Sequence, residues 1–120
     1  MAKRVLVVED NELNLKLFCD LLRAHGFETM PVRDGREAVA TARSFAPDLV
    51  ITDIQLPHIS GIDIIARMRG DPALKAIPVM AVTAYAGQED EARIRAAGAN
   101  AYVTKPISVM RFVEEVQGLV

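Results

Sequence analysis

The sequence predicts an α/β domain in which helices cover both faces of a doubly wound, five-stranded parallel sheet. Five short apolar runs, most of them continuous rather than alternating, are typical of strands that are buried on both faces. They span residues 5–8, 29–32, 48–53, 78–83 and 101–105. Helical patterns fill the intervals between these runs, and such alternation of strands and helices favours a parallel sheet.

The order of the strands follows from the same alternation. Right-handed crossovers leave few arrangements for five βα units, and we expect the order 2-1-3-4-5, the flavodoxin-like arrangement. The second run is the weakest and contains Pro31, which favours an edge position. The sequence therefore predicts a single domain over residues 1–120, with the second strand at one edge of the sheet.

The first helix is expected over residues 11–25, with Gly26 as its C-terminal stop. Its expected apolar stripe consists of Leu13, Leu17, Leu21 and Ala24. Leu15, Phe18 and Leu22 widen the apolar arc well past the usual core stripe. This excess of apolar residues indicates that part of the helix contacts a partner.

The other helices carry recognisable terminal signals. Asp34 and Glu37 have the spacing of a capping box at the start of the second helix. The third helix is expected over residues 61–68 and the fourth over residues 89–98, where acids come first and arginines later, as the helix dipole prefers. The fifth helix starts at Ser108, and its expected apolar stripe consists of Val109, Phe112, Val113 and Val116.

Composition excludes several classes of protein. The chain has 120 residues, is 51% hydrophobic and has a net charge of −2. These values predict a folded domain and no nucleic-acid partner, since phosphate binding needs a basic face. Cys19 is the only cysteine, so an intramolecular disulfide and a cysteine metal cluster are excluded. Because no signal peptide and no apolar run of membrane-spanning length is recognisable, we expect a cytoplasmic protein without membrane insertion.

Polar residues lie where four of the predicted strands end. Glu9 and Asp10 end the first strand, Asp53 the third, Thr83 the fourth and Lys105 the fifth. In a sheet of this order ligands bind at the carboxyl ends of the strands. Three carboxylates at one edge repel each other, and Mg²⁺, which accepts one or two carboxylates, waters and a phosphate oxygen, would relieve the repulsion. Lys105 and Thr83 supply the charge and the hydroxyl that hold a phosphoryl group.

Four segments at these strand ends resemble one known family. They are VVEDN after the first strand, DIQLPHISG after the third, TA after the fourth and KP after the fifth. Together they resemble the receiver domain of two-component response regulators, over nearly the whole chain. Within the family, VEDNELNLKLF and TKPISVMRF look most like a single-domain regulator of the bacterial cell cycle.

The resemblance implies a role for each polar residue in the reaction. Asp53 would be the phosphoacceptor, which attacks a phosphohistidine of a sensor histidine kinase or a histidine phosphotransfer protein. Glu9, Asp10, Asp53 and the backbone carbonyl of Gln55 would hold Mg²⁺, with Mn²⁺ as the alternative ion. The groups that would bind the phosphoryl oxygens belong to Lys105, Thr83 and Ala84. The resemblance also implies a cis peptide bond before Pro106.

The resemblance also implies a switch and surfaces for partners. Thr83 and Tyr102 match the positions that respond to phosphorylation in the family, although a half-buried tyrosine that packs beside the fourth helix is the alternative for Tyr102. The output surface for downstream proteins would include Arg95, Tyr102, Met110 and Arg111. The docking surface near the first helix and the loop after the fifth strand would include Asn14, Leu15, Pro106 and Ile107. For Leu15, a simple exposed leucine is an equal alternative.

Other interpretations remain at this level. Asp10 could be only the N-cap of the first helix, and the chain could be a receiver cut from a longer regulator or hybrid kinase, or a phosphorelay intermediate. A haloacid-dehalogenase-type phosphatase also uses an Asp nucleophile and Mg²⁺, but it has a second Asp two residues later, where this chain has Gln55. A flavin-binding protein of the same fold would need a phosphate loop in place of the acidic EDNELN. The favoured interpretation is a phosphoacceptor signalling protein rather than an enzyme with turnover.

Overall fold

The computed structural model describes residues 2–85 and 87–120. Strands and helices alternate throughout this part of the chain. They are β1 (Arg4–Val8), α1 (Glu12–Ala24), β2 (Glu28–Val32), a 3-10 turn (Gly35–Glu37), α2 (Ala38–Phe45), β3 (Leu49–Asp53), α3 (Gly61–Arg69), β4 (Val79–Thr83), α4 (Gln88–Ala97), β5 (Ala101–Thr104) and α5 (Val109–Leu119). All five strands pair in parallel in the order β2-β1-β3-β4-β5, which confirms the predicted topology. Pro31 lies in the edge strand, as expected.

The sheet separates two apolar cores. Along β1, Val5 and Val7 point to a core shared with α1 and α5, whereas Leu6 and Val8 point to a core shared with α2, α3 and α4. In the first core the rings of Phe18 and Phe112 stack with their centroids 5.2 Å apart. Burial of both faces of the strand explains why the apolar run of β1 is continuous.

The predicted apolar stripe of α1 is wrong. Leu13 has 79% of its surface exposed and Leu17 is exposed as well, whereas Leu15 is only 6% exposed. The buried stripe consists of Leu15, Phe18, Cys19 and Leu22. These four residues have the i, i+3, i+4, i+7 spacing of one helix face, and they include the phenylalanine that stacks on α5. Leu15 is therefore a core residue, and its assignment to a partner surface is also wrong.

Two helix starts also differ from expectation. The Asp34 side chain accepts a hydrogen bond from the backbone N–H of Arg36 at 2.9 Å and caps the 3-10 turn, not α2. Glu37 makes no capping bond at the start of α2, so the predicted capping box is wrong because the extra turn separates Asp34 from the helix. The helix α5 was expected to start at Ser108, which is its N-cap, but Val109 is exposed and lies outside the buried stripe.

Close packing of α3 against β3 fixes the end of that strand. The backbone N–H of Gly61 donates to the carbonyl oxygen of Ile54 at 3.0 Å. A Cβ atom at position 61 would overlap the carbonyl oxygen of Asp53 and would lie 2.8 Å from Cα of Ile54. A glycine is therefore required where the helix begins. Within residues 2–85 and 87–120 no helix is long and apolar enough to span a bilayer.

Candidate functional site

The acidic residues converge at the carboxyl edge of the sheet because β1 and β3 are neighbours. Val8 of β1 pairs with Thr52 of β3, so Glu9 and Asp53 follow side by side. Both are buried, with exposed fractions of 0% and 2%. Asp10 is less buried, and a carboxylate oxygen from each of the three residues lies within 4.8 Å of the other two. The predicted acidic cluster is therefore present.

Lys105 follows the edge strand β5, and its side chain reaches the acidic cluster across the carboxyl edge of the sheet. Its Nζ atom lies 2.8 Å from Oδ2 of Asp53 and 3.2 Å from Oε1 of Glu9. The backbone N–H of Lys105 donates to the carbonyl oxygen of Thr83 at 2.8 Å, and the peptide bond between Lys105 and Pro106 is cis, as expected. One ammonium group thus bridges two buried carboxylates.

The electrostatics of the cluster leave a deficit of positive charge. Three carboxylates and one ammonium carry a formal charge of −2. Burial raises the pKa of Glu9 to about 7, assisted by the hydrogen bond to Asp53 and by its charge, while Lys105 and Asn14 act in the opposite direction. Burial alone would lower the pKa of Lys105, but its contacts with Asp53 and Glu9 raise it overall. The raised pKa of Glu9 therefore reflects its burial first, and the nearby Asp53 carboxylate adds to it.

This donor set fits a divalent cation. Carboxylate oxygens are the hard ligands that Mg²⁺ prefers, and a doubly charged ion would match the formal charge of the cluster. Asp10 is not occupied as a helix cap, since Asn11 caps α1 by accepting from the backbone N–H of Asn14 at 3.0 Å. The alternative interpretation of Asp10 as the N-cap is therefore wrong.

The hydrogen bonds of the Gln55 side chain are a feature that sequence reasoning missed. Its Nε2 atom donates to Oγ1 of Thr83 at 3.0 Å, and its Oε1 atom accepts from the backbone N–H of Ala84 at 2.9 Å. The Gln55 backbone N–H lies 3.3 Å from Oδ1 of Asp53. The sequence placed Gln55 beside Asp53 and its carbonyl among the metal ligands, but the hydrogen bonds of the carboxamide depend on the path of a loop.

Asn14 also reaches the site, although the sequence placed it only on a partner surface. Its Nδ2 atom donates to Oε1 of Glu9 at 3.3 Å. The same residue lines a groove of ≈ 440 Å³ between α1 and the loop after β5. Other residues that line this groove are Leu17, Phe18, Lys105, Pro106 and Ile107. Three of the residues predicted for docking therefore share one groove, and Leu17 takes the place that Leu15 was expected to fill.

Tyr102 lies beside α4 rather than in the site. Its hydroxyl donates to Oε1 of Glu91 at 2.9 Å, and Nε of Arg95 lies 2.9 Å from the other carboxylate oxygen of Glu91. The Arg95 guanidinium lies over the tyrosine ring at 5.5 Å from its centroid. The hydrogen bond to Glu91 raises the pKa of Tyr102. This arrangement matches the packing alternative for Tyr102, and a response to phosphorylation remains a prediction.

The rest of the predicted output surface is open to solvent. Met110 is 73% exposed, and Arg111 and Arg95 are exposed as well. Met suits surfaces that adapt to a partner. The exposure of these residues leaves the predicted output surface accessible to a partner, whose binding there stays a prediction.

The fold and the site together define a class of protein, and comparison with known families identifies it. Residues 5–117 match the response regulator receiver domain. The chain therefore belongs to the response regulator receiver family. This membership supports neither the phosphatase nor the flavin alternative.

Particular relatives narrow the class further. The polar-differentiation response regulator DivK of Brucella anthropi is 52% identical over 117 residues, which cover 98% of this chain and 95% of the relative. Among solved structures, the chemotaxis response regulator CheY4 of Vibrio cholerae has a TM-score of 0.94 at 25% identity and full coverage of both chains. The receiver domain of a histidine kinase from Syntrophus aciditrophicus has a TM-score of 0.90 at 32% identity, over 98% of this chain and 89% of that chain. The chain is a close relative of DivK with a CheY-like fold.

Proposed function

We propose that this chain accepts a phosphoryl group onto Asp53 from a phosphohistidine and signals by phosphorylation-dependent docking to other proteins. The observation that carries the proposal is the buried Asp53 carboxylate, which contacts the Lys105 ammonium and lies beside the acidic pair Glu9 and Asp10. Buried carboxylates at a strand end, with a lysine at 2.8 Å, are suited to nucleophilic attack on phosphorus.

In the proposed reaction a carboxylate oxygen of Asp53 forms a bond to phosphorus while the bond from phosphorus to the donor histidine nitrogen breaks. The electron pair of that bond stays on the imidazole. Lys105 moves from the Asp53 carboxylate to a phosphoryl oxygen and balances its charge. Glu9, Asp10, Asp53 and the Gln55 carbonyl would hold Mg²⁺, which when bound draws charge from the phosphoryl oxygens.

The donor in this proposal is a sensor histidine kinase or a histidine phosphotransfer protein. The groove lined by Asn14, Pro106 and Ile107 lies beside Lys105, so a protein docked there would bring its histidine near Asp53. Downstream proteins would read the other surface, which includes Arg95, Tyr102, Met110 and Arg111. The added charge of roughly −2 would act through Thr83, and Tyr102 would have to leave Glu91 in order to turn inward.

The Brucella relatives are polar-differentiation response regulators, which supports a role in cell polarity. A role in the cell cycle is part of the same proposal. The proposed location of that role is the cytoplasm. A phosphorelay intermediate, or the receiver part of a longer regulator or hybrid kinase, is the alternative within the same family.

The proposal is tested by incubating the protein with Mg²⁺ and acetyl phosphate and measuring its intact mass. The wild-type protein should gain one phosphoryl group that is labile to base and that does not appear when EDTA is present. Asp53→Asn should abolish the label. Asp63→Asn, the same chemical change at an exposed position of α3, should leave it. Full labelling of Asp53→Asn would refute the assignment.

A further inference from the structure

The Gln55 carboxamide bridges the ends of two strands through two hydrogen bonds of fixed direction. The backbone N–H of Ala84 is a donor only, so the atom that faces it at 2.9 Å has to be the carboxamide oxygen. The NH₂ group then faces Thr83 and donates to Oγ1 at 3.0 Å. The orientation of the amide is therefore determined by its partners.

This bridge occupies the Ala84 N–H and one acceptor position of the Thr83 hydroxyl. Oγ1 of Thr83 accepts a second hydrogen bond from the backbone N–H of Tyr85 at 3.1 Å. A hydroxyl group offers two acceptor positions and one proton, so Thr83 is left with its own proton to donate. The single proton of the Ala84 N–H is directed to Gln55. A new oxygen at this place can reach the Ala84 N–H only if the carboxamide leaves.

We infer that the Gln55 side chain holds, in the unphosphorylated protein, the hydrogen-bonding position that a phosphoryl oxygen takes after phosphorylation, and that it has to be displaced for the phosphorylated state to form. The inference rests on the proposed function, in which Ala84 and Thr83 bind the phosphoryl group on Asp53. Gln55 is a positioning residue in this scheme, because it opposes phosphoryl binding through its hydrogen bonds to the Thr83 hydroxyl and the Ala84 N–H.

The structure provides room for the displaced side chain. A cavity of ≈ 240 Å³ lies between the start of α3 and α4, with Gln55 in its wall. Its lining includes the polar groups of Ser60 and Arg93, which could receive the carboxamide. The released amide would thus exchange one set of polar partners for another.

The test uses beryllofluoride with Mg²⁺, a phosphoryl mimic that binds aspartate without a covalent phosphate. Its affinity is measured by NMR titration of the wild-type protein, Gln55→Ala, and Gln55→Met. The methionine variant keeps an unbranched side chain of similar length without hydrogen-bonding groups, so it covers the case in which the alanine variant folds poorly. Gln117→Ala, which removes an exposed carboxamide from α5, is the matched control.

Removal of two competing hydrogen bonds should tighten beryllofluoride binding by about threefold to tenfold in both Gln55 variants, with no change in Gln117→Ala. Exchange of the Ala84 amide proton with water should become faster in the beryllofluoride-free variants but not in their beryllofluoride-bound forms. Substitution of a residue that only supported the fold would change this exchange rate in the beryllofluoride-free and the beryllofluoride-bound forms alike.

Two results would overturn the inference, and only the second would also overturn the proposed function. If the wild-type protein binds beryllofluoride and the folded Gln55 variants bind it equally or more weakly, the inference fails while the proposed function stands. If the wild-type protein does not bind beryllofluoride in the presence of Mg²⁺, the proposed function fails and the inference fails with it.

Discussion

The charge state of Glu9 depends on its surroundings in the site. Burial and the neighbouring Asp53 raise its pKa from 4.5 to about 7. Between these two values the folded protein keeps a proton that the unfolded chain has released. The free energy of unfolding of the metal-free protein therefore falls as the pH rises from 4.5 to about 7. Affinity for a divalent cation should rise over the same interval, because the cation requires the ionised carboxylate.

We predict that Glu9→Gln removes most of this pH dependence, since the amide does not titrate. The measurement is urea unfolding in EDTA just above pH 4.5 and near pH 7, the two ends of the interval. Glu12→Gln, at an exposed position in the first turn of α1, should retain the slope of the wild-type protein. An unchanged slope in Glu9→Gln would mean that another group holds the proton.

At the scale of elements, the start of α3 determines where Asp53 lies. Gly61 packs directly against the backbone of Asp53 and Ile54, so a displaced helix start would displace the end of the strand. Gly118, in the last turn of α5, has open space around its Cα. The same substitution is therefore expected to have opposite effects at the two positions.

Gly61→Ala should lower the free energy of unfolding by at least about 1–3 kcal/mol and should slow phosphorylation, because the new methyl group displaces the backbone that carries Asp53. Gly118→Ala should be neutral or should stabilise by up to about 1 kcal/mol, since alanine is the better helix residue. Urea unfolding and acetyl phosphate labelling measure both effects. A fully stable and active Gly61→Ala would contradict this account of the packing.

The elements also show what the sequence could and could not predict. The strands were predictable because burial on both faces gives continuous apolar runs, and the cluster was predictable because each strand ends in a chemically distinctive residue. The buried face of α1 was not predictable, because Leu13 and Leu17 are as apolar as the buried Leu15. The packing of the helix against the sheet and α5, where Phe18 stacks on Phe112, decides between them. The Gln55 bridge could not be predicted either, because it depends on the geometry of the loop after β3.

At the scale of the whole molecule, the site exists only when the sheet is assembled. Glu9 and Lys105 are 96 positions apart in the chain. Glu9 follows β1, Asp53 ends β3 and Lys105 follows β5. A cation that binds this arrangement does not find it in the unfolded chain. Binding is therefore linked to stability and should raise the free energy of unfolding as its concentration rises.

We predict that Mg²⁺ at one hundred times its dissociation constant stabilises the wild-type protein by about 2.7 kcal/mol, and that Asp10→Ala loses this increment. Metal-free stability should be unchanged or higher in the variant, because a like charge has been removed. Thermal unfolding with and without Mg²⁺ measures both quantities, with Asp63→Ala as a control on α3. Clear loss of metal-free stability in Asp10→Ala would indicate a mainly structural role for Asp10.

The central claim is that Asp53 itself carries the phosphoryl group. The most direct measurement is reduction of the acetyl phosphate-treated protein with borohydride, followed by peptide mass spectrometry, because reduction of an aspartyl phosphate leaves homoserine at the phosphorylated position. The account predicts homoserine at position 53 in the Mg²⁺-treated protein and none in the EDTA control. Homoserine at position 10, or stable phosphate on His25 or His58 with an unmodified Asp53, would contradict it.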